Sequence, residues 1–293
     1  MSSVGVIVPC YNYGRYLREC VESVLTQSHQ DLRVLIIDDA STDGTAEIAA
    51  GLAAADSRVA IRRHAGNRGH IATYNEGIDI AEGDYMLILS ADDYLLPGAV
   101  ARAVAVLDGA PDVGLAHGIC ILSPDQRIPR PAAVVEFFDS VALLEALAIQ
   151  NRVCTPTAFV RTAVQKKLGY YRPDLPHAGD LEMWVRFAMH GRVASILIPQ
   201  AGHRRHGANM SLRYDSAADL EQCIEAFRPH LRAIGRQFAD GRKLEARLRR
   251  TLAERARRRA RREIARGRVR VFSRLAALWL GESLAATRAT LAR

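Results

Sequence analysis

The chain has 293 residues, of which 49% are hydrophobic and 25% charged, with a formal net charge of +8. This length and composition can bury the core of one large or two modest domains and argue against a disordered or repeat protein. No run of about 18 apolar residues occurs, so the sequence predicts no transmembrane helix.

The positive charge is concentrated in one segment. Residues 242–270 hold 14 Lys and Arg against 3 Asp and Glu, a local excess of +11. Subtracting this excess from +8 leaves about −3 for the rest of the chain. The sequence therefore predicts a near-neutral globular part followed by a basic C-terminal segment.

The N-terminal residues and the spacing of the cysteines predict a cytoplasmic location. Met1–Pro9 has no cationic region before its apolar run, which predicts no signal peptide. The five cysteines are far apart and form no CxxC pair, so we expect free, buried thiols in a reducing cytoplasm. They are Cys10, Cys20, Cys120, Cys154 and Cys223.

The first half of the chain alternates apolar, β-branched runs with helical spacing. The predicted strands are Val4–Pro9, Leu32–Asp38, Val59–Arg63 and Asp84–Ser90. The predicted helices cover Gly14–Thr26, the region of Ile48 and Leu52, and Ile71–Ile78. Such alternation predicts an α/β fold with a mostly parallel central sheet flanked by helices, which binds ligands beyond the carboxyl ends of its strands.

The second half has a looser pattern. Strands are predicted at Gly114–Leu122 and Ser195–Pro199, and helices at Val141–Ile149 and Leu181–His190. From Asp219 onward the propensity is almost entirely helical. We expect one α/β domain over 1–215 and a helical, Arg-rich extension over 216–293.

Two acidic pairs follow predicted strands. Asp38-Asp39 ends the second strand, and Asp92-Asp93 follows the fourth. Both pairs would lie on one rim of the sheet, which predicts a binding site. For an isolated pair, the commoner explanation is a turn or a cap on the helix beginning near Thr42. The motifs HExxH, GxGxxG and GxxxxGK[ST] do not occur, so the commonest metalloprotease, dinucleotide and P-loop sites are disfavoured.

Several segments, taken together in chain order, resemble family 2 inverting glycosyltransferases of the GT-A fold. They are Val6-Ile-Val-Pro-Cys-Tyr-Asn12, Glu22–Gln27, Ile37–Thr45, Asn67–Gly69, Ala72–Gly77, Ala81–Asp84, Leu89–Asp93 with Pro97, and Gly179–Arg186 with Gly191. The resemblance covers roughly residues 3–213. It implies a nucleotide-sugar half at about 1–110 and an acceptor half at about 111–215.

The resemblance also implies a donor site. Tyr11 would stack on the base and Asp39 would accept the N3–H of uracil, which favours a UDP-sugar over dTDP or GDP donors. The alternative to a donor-binding role for Tyr11 and Asn12 is a turn in which Asn tolerates a left-handed backbone. The remaining donor contacts implied are Pro9, Asn12, Asp38 and Ala91.

A metal is expected in the same place. Mg²⁺ or Mn²⁺ would neutralise the leaving diphosphate, and these hard ions prefer carboxylate oxygens. Asp92 is the expected ligand, with Asp93 and His206 as further metal contacts. Ser90 stands where the family often has the first acid of its DxD motif, so the chain departs from the family pattern at this position.

Inversion requires a base for the acceptor hydroxyl. Asp180, at the start of a predicted helix, fits this role, with Glu182 in reserve. The alternative for Asp180 is a helix N-cap, and both readings are compatible. Arg204 and His206 would together contact the diphosphate, although a solvated basic loop explains either residue nearly as well.

The sequence leaves open the identity of the acceptor and the role of the basic segment. Glycan, lipid-linked and small-molecule acceptors all suit the pattern. The commonest explanation for a basic segment such as 242–270 is a solvated extension. The second is a peripheral contact with an anionic inner membrane, to which the apolar stretch Val271–Leu280 with Trp279 would contribute. The third is a nucleic-acid site, which is disfavoured because no aromatic residues interleave with the arginines. The rival functions are a catalytically silent nucleotide-sugar-binding protein and a nucleic-acid-binding protein.

Overall fold

The structure is a computed structural model that describes residues 2–122, 126, 134–207 and 209–291. The chain forms two compact units. The first, here the sheet unit, comprises Met1–Phe138, Val153–Pro173 and Gly191–Arg205. The second, here the helical unit, comprises Asp139–Arg152, Asp174–His190 and His206–Arg293. The division therefore crosses the chain several times, whereas the sequence suggested a single boundary near residue 216.

The described residues form strands and helices with the following bounds. The strands are β1 Val4–Cys10, β2 Leu32–Asp38, β3 Val59–Arg63, β4 Tyr85–Ile88, β5 Tyr94–Leu95, β6 Val113–Ile121, β7 Val135–Phe138, β8 Phe159–Arg161 and β9 Arg192–Gly202. The α-helices are α1 Gly14–Leu25, α2 Thr45–Ala55, α3 His70–Ile80, α4 Ala99–Gly109, α5 Ser140–Ile149, α6 Thr162–Leu168, α7 Gly179–His190, α8 Ser216–Gln237, α9 Gly241–Ala265 and α10 Val269–Leu291.

The sheet unit contains all the described strands in one sheet. Their order is β3-β2-β1-β4-β8-β6-β9-β5, and β7 pairs with β9. The half built from β1 to β4 is parallel, as β/α alternation predicts. β8 pairs antiparallel with both β4 and β6, and β5 and β7 pair antiparallel with β9.

The parallel half is buried on both faces. β1, β2 and β4 consist mostly of buried side chains, because helices cover the sheet on either side. On one face α1 contributes Leu17, Val21 and Val24, none of which is exposed. α3 approaches β1 closely at Gly77, where an added Cβ would lie 2.5 Å from Cγ2 of Ile7. A larger residue there would push the helix away from the strand.

The helical unit is built from α5, α7, α8, α9 and α10. Its interior is apolar, with Trp184, Phe227, Leu248 and Leu275 almost fully buried. Several arginines of the basic segment are part of this packing rather than solvated. Arg255 is 8% exposed, and its Nη1 donates to the carbonyl oxygen of Ala148 at 2.8 Å.

The cysteines depart from the prediction. Cys120 and Cys154, 34 residues apart in sequence, form a disulfide in the sheet unit, while Cys10, Cys20 and Cys223 are free and buried. The expectation of free thiols is therefore wrong for two of the five. The sheet places the two Cα atoms 6.3 Å apart, a spacing that suits a disulfide and that sequence distance does not reveal. The cysteine pattern thus gives no support for a reducing compartment.

No helix in the described part of the chain combines the length and the apolar composition needed to cross a bilayer.

Candidate active site

Three neighbouring strands of the sheet unit end at one edge. β1 lies between β2 and β4, and all three run parallel, so the residues that follow them share that side of the sheet. These residues are Tyr11–Asn12, Asp38–Asp39 and Ser90–Asp93, here called the carboxyl edge. Asp38 closes β2, whereas Asp92 and Asp93 follow β4 after a short turn. The two predicted acidic pairs therefore lie at the ends of the two strands that flank β1.

Asn12 ties the first two loops of this edge together. It has a left-handed backbone with φ of 58°, which Asn tolerates better than most residues. Its amide N–H donates to Oγ of Ser41 at 2.9 Å, and its side-chain Oδ1 accepts from the N–H of Thr42 at 2.8 Å. The preceding Tyr11 is 45% exposed, so a large part of its side chain faces solvent.

Asp38 is a turn-forming residue. Its side chain is almost fully buried, with Oδ1 accepting from the N–H of Ser41 at 2.9 Å and Oδ2 lying 3.1 Å from Nε of Arg63. It does not cap α2, which starts only at Thr45; there the N–H of Thr45 donates to Oδ1 of Asp43 at 3.0 Å. The helix-cap explanation for the acidic pair is therefore wrong, because α2 begins too far along the chain.

Asp39 is held in place by backbone donors. Its Oδ1 accepts from the N–H of Arg68 at 2.7 Å, and its Oδ2 accepts from the N–H of Gly69 at 2.8 Å. Nδ1 of His64 lies 2.6 Å from Oδ1. A carboxylate offers about four acceptor positions, and these donors use three of them. One position, on Oδ2, remains for a further donor among the described contacts.

Asp93 anchors the segment that follows β9. Its Oδ1 accepts from the N–H of Arg204 at 3.0 Å and lies 3.1 Å from Nδ1 of His203. The hydrogen bond to Asp93 raises the pKa of His203 above its ordinary value, and the nearby charge of Asp92 acts in the same direction. The side chains of Asp92 and Asp93 are only 6% and 2% exposed.

The carboxyl edge carries a negative potential. The pKa of Tyr13 is raised to about 12, first by burial of its hydroxyl and then by the charges of Asp92, Tyr74 and Asp93. A bound cation would stabilise the two buried carboxylates, Asp92 and Asp93, that raise the pKa of Tyr13. Oxygen ligands of this kind suit Mg²⁺ or Mn²⁺.

The described residues contain no group of three or more His, Cys, Asp and Glu side chains arranged to hold a metal. Ser90, at the position of the missing acid, is half-buried, and its Oγ lies 3.5 Å from the hydroxyl of Tyr74.

Arg204 lies beside the carboxyl edge within the sheet unit. Its Nη1 donates to the carbonyl oxygen of Asp92 at 2.9 Å, and its Nη2 forms an ion pair with Glu19. The guanidinium also covers the rings of Tyr16 and Tyr94, at 5.2 and 4.7 Å from their centroids. The predicted diphosphate contact is thus already engaged by protein groups.

Two backbone features support this arrangement. Pro9 and Ala91, both predicted donor contacts, are joined by the N–H of Ala91 donating to the carbonyl oxygen of Pro9 at 3.3 Å. At the end of β9, a Cβ added to Gly202 would lie 2.1 Å from the Tyr94 ring. Only glycine lets this ring pack flat on the strand, and Tyr94 in turn covers Arg204.

In the helical unit, Asp180 lies in the first turn of α7. It is half-buried; its Oδ1 accepts from the N–H of Leu181 at 2.7 Å and its Oδ2 from Nδ2 of Asn151 at 2.9 Å. Asn151 follows α5, whose last turn is bound by Arg255. The N–H of Leu181 at the N-terminus of α7 and the side-chain amide of Asn151 both stabilise the negative charge of this carboxylate.

Glu182, the reserve candidate, is only 2% exposed. Its Oε1 contacts Nε2 of His230 and its Oε2 contacts Nη2 of Arg186, each at 2.6 Å. Burial would raise the pKa of Glu182, but the hydrogen bond from His230 and the charge of Arg186 outweigh it and lower the pKa. This carboxylate serves the packing of the helical unit.

His206 belongs to the helical unit, whereas Asp92, Asp93 and Arg204 belong to the sheet unit. The backbone N–H of His206 donates to Oδ1 of Asn209 at 2.6 Å.

Three residues of the site were not singled out by sequence reasoning. They are His64 beside Asp39, His203 beside Asp93, and Asn151 beside Asp180. His64 follows β3, the strand next to β2, so the parallel topology itself could have suggested it. The other two contacts join residues 110 and 29 positions apart, and no local pattern marks them.

Comparison with known proteins identifies the family. Residues 5–165 match the model of glycosyl transferase family 2, and the chain belongs to this family. An uncharacterised glycosyltransferase from Nostoc sp. is 32% identical over 230 residues, covering 75% of this chain and 70% of the relative. The chain spans a smaller share of other curated relatives, 30% and 60% for two of them.

The fold recurs in solved structures. S. aureus TarS 1–349, in complex with UDP-GlcNAc, has a TM-score of 0.69 and 19% identity, covering 85% of this chain and 72% of TarS. The mannosyltransferase PcManGT from Pyrobaculum calidifontis, in complex with GDP-Man and Mn²⁺, has a TM-score of 0.58 and 19% identity, covering 99% and 87%. The predicted α/β fold of the GT-A type, with C-terminal helices, is confirmed.

Proposed function

We propose that this chain transfers a sugar from a nucleotide-sugar donor, a UDP-sugar by preference, to an acceptor hydroxyl with inversion at the anomeric carbon. The observation that carries the proposal is the carboxyl edge, where Asp39 is fixed by three donors beside the buried pair Asp92 and Asp93. Family membership and the nucleotide sugars bound to TarS and PcManGT support the same class of donor.

The base contact follows from the geometry of Asp39. The three donors already bound fix the plane of the carboxylate, and its fourth acceptor position suits a single N–H. Uracil and thymine offer one such N–H, at N3, while the exposed ring of Tyr11 offers a stacking surface. Guanine would also satisfy a carboxylate acceptor. The contact with Asp39 therefore favours UDP but does not by itself exclude GDP.

Asp92 would hold Mg²⁺ or Mn²⁺, with Asp93 supporting it. The metal supplies positive charge that neutralises the diphosphate as its bond to the sugar breaks. The protein's own contribution is to bury the two carboxylates and to hold them in place. His203 and the N–H of Arg204 do this for Asp93 through hydrogen bonds.

Asp180 is proposed as the general base. In a single displacement, the acceptor oxygen forms a bond to the anomeric carbon as the bond from that carbon to the diphosphate oxygen breaks. The acceptor hydroxyl proton passes to a carboxylate oxygen of Asp180. Asn151 and the N–H of Leu181 keep this carboxylate oriented. The diphosphate leaves with the electron pair of the broken bond.

The donor and metal assignments are tested together by a screen of UDP-, dTDP- and GDP-sugars for hydrolysis with Mn²⁺ or Mg²⁺, repeated with EDTA. We expect turnover with a UDP-sugar that EDTA abolishes. An Asp92→Asn variant should lose more than about tenfold in metal-dependent UDP affinity, measured by calorimetry. Turnover undiminished by EDTA would refute the metal role of Asp92, and binding without any turnover would favour the silent binding protein.

A further inference from the structure

The last helix of the chain exposes a stripe of apolar side chains. In α10, the residues Val269, Ala276, Leu280, Leu284 and Thr287 follow one another at helical spacing and share one face. The three large ones, Val269, Leu280 and Leu284, are 59%, 55% and 62% exposed. With 23 residues, the helix is about 35 Å long, so this stripe extends along most of its length.

The opposite face of α10 is packed into the helical unit. Leu275, Glu282 and Ala286 lie on it and are 0%, 4% and 2% exposed. Glu282, the only acidic residue of α10, forms ion pairs with Arg249 and Arg228. The outward stripe therefore carries no acidic group.

Backbone hydrogen bonds define the turn that joins α9 to α10. The N–H of Arg268 donates to the carbonyl oxygen of Glu263 at 2.9 Å, and the N–H of Gly267 donates to that of Ile264 at 3.0 Å. With Gly267 at φ 70°, these bonds form a Schellman cap. Ile264, next to this turn, is 45% exposed.

Positive charge surrounds the same turn. Residues 257–270 hold eight arginines against one acid, Glu263. Among them, six are exposed: Arg258, Arg261, Arg262, Arg266, Arg268 and Arg270. Other arginines of the helical unit form ion pairs with acids, as in the pairs Arg259–Asp219 and Arg274–Glu221. The excess charge of the C-terminal segment is thus concentrated where α10 begins.

We propose that α10 and the α9–α10 turn form a membrane-surface element that binds an anionic lipid bilayer. The apolar stripe would lie among the lipid headgroups and the first acyl carbons, and the exposed arginines would pair with lipid phosphates. The composition matches an in-plane amphipathic helix, since the apolar face is bordered by Arg270 and Arg288. This surface differs from the Val271–Leu280 stretch suggested by sequence, because Leu275 is buried and Trp279 half-buried.

Two other occupants fit less well. A second copy of the chain would bring arginines against arginines along α10, whereas an anionic bilayer neutralises them. A nucleic acid would use the arginines but leave Leu280 and Leu284 without partners. The described residues of this surface also present no exposed aromatic ring on which bases could stack.

The test is flotation of the full-length protein with vesicles of phosphatidylcholine alone or mixed with phosphatidylglycerol. We expect binding only to the mixed vesicles, weakened by salt. The double variant Leu280→Ser, Leu284→Ser should bind at least about tenfold more weakly. The variant Arg262→Gln, Arg270→Gln should lose about fivefold for each arginine. Because all four side chains are exposed, each variant should unfold at the wild-type temperature.

Ile61→Ser is the matched control. Ile61 is 39% exposed on the edge strand β3 of the sheet unit, and its loss should leave vesicle binding unchanged. Absence of wild-type binding to the mixed vesicles would overturn the proposal. Full binding by the double leucine variant would also overturn it, in favour of a purely electrostatic polyanion site. A wild-type dimer that this variant converts to a monomer, without vesicle binding, would assign the stripe to a second copy.

Discussion

The carboxylates of the two units are held by different kinds of donor. At the carboxyl edge, backbone N–H groups and histidines hold Asp39 and Asp93. In the helical unit, arginines contact the buried acids, as in the ion pairs of Glu182 with Arg186, beside His230, and of Glu282 with Arg249. A backbone N–H fixes a carboxylate without cancelling its charge, whereas an arginine cancels it.

This difference distinguishes the carboxyl edge, which can bind a ligand, from the acids of the helical unit, which stabilise its packing. The buried acids of the helical unit are already neutralised and offer little to a ligand cation. At the edge of the sheet unit, backbone N–H groups hold Asp39 and Asp93 without cancelling their charge. Asp180 accepts hydrogen bonds from a backbone N–H and from an amide, as the acids of the edge accept from backbone donors. The predictions below test this contrast, beginning with the largest expected effect.

Asp180→Asn should abolish most turnover. An amide cannot take the proton of the acceptor hydroxyl, so kcat should fall by about 10² to 10⁴ while UDP affinity changes little. Steady-state kinetics and calorimetry measure the two effects separately. Asp240→Asn, which changes an acid 72% exposed in its side chain, is the control and should behave as wild type. If Asp180→Asn retained full activity, Asp180 would belong with the structural acids.

Asp39→Asn should weaken UDP binding by about tenfold to a hundredfold, the value of a hydrogen bond to a charged acceptor. The new NH₂ group would also face the N–H of Arg68 or Gly69, so the unfolding temperature should fall. Calorimetry with UDP and a thermal melt check both effects. Asp31→Asn, an exposed acid before β2, should change neither. Unchanged UDP affinity in a folded Asp39→Asn protein would contradict the base contact.

Asn151→Ala should lower kcat by about tenfold with little change in the KM for the donor. The alanine removes the amide that orients Oδ2 of Asp180, and a misdirected base transfers protons less efficiently. Gln150→Ala, an exposed neighbour at the end of α5, serves as the control in the same assay. A rise in KM alone would instead place Asn151 in substrate binding.

His203→Gln should have the smallest effect, a pH-dependent loss of stability. The folded pKa of His203 is raised by Asp93, so its contribution is complete below the ordinary value and disappears as the pH rises through the folded value. The difference in unfolding temperature from wild type should therefore be larger at about pH 6 than at about pH 9. A difference that grows with pH would show that the contact does not depend on a protonated imidazole.

The sequence predicted the parallel half of the sheet closely. Leu32–Asp38 and Val59–Arg63 have the predicted bounds, because continuous buried runs leave few alternatives. The short strands β5, β7 and β8 were not predicted. They contain two to four residues and form through antiparallel pairing with distant strands, which no local pattern encodes.

The same limit applies to the site. Asp38 and Asp92 could be placed at strand ends because the strands themselves were evident. Their neighbours could not, since His203 reaches Asp93 only after the whole sheet has formed. The helical unit shows the limit most clearly, because Arg255 looks like one of many solvated arginines in sequence yet is buried against α5.

Gly202 shows how a residue without a side chain can govern the chemistry around it. The Tyr94 ring occupies the space that a Cβ would take, and the same ring covers Arg204. In a library of random variants, substitutions at this position should therefore be depleted as strongly as those at the acids, although glycine contributes no functional group. Mutational intolerance alone would then misassign Gly202 as a ligand contact, when its role is to make room for its neighbours.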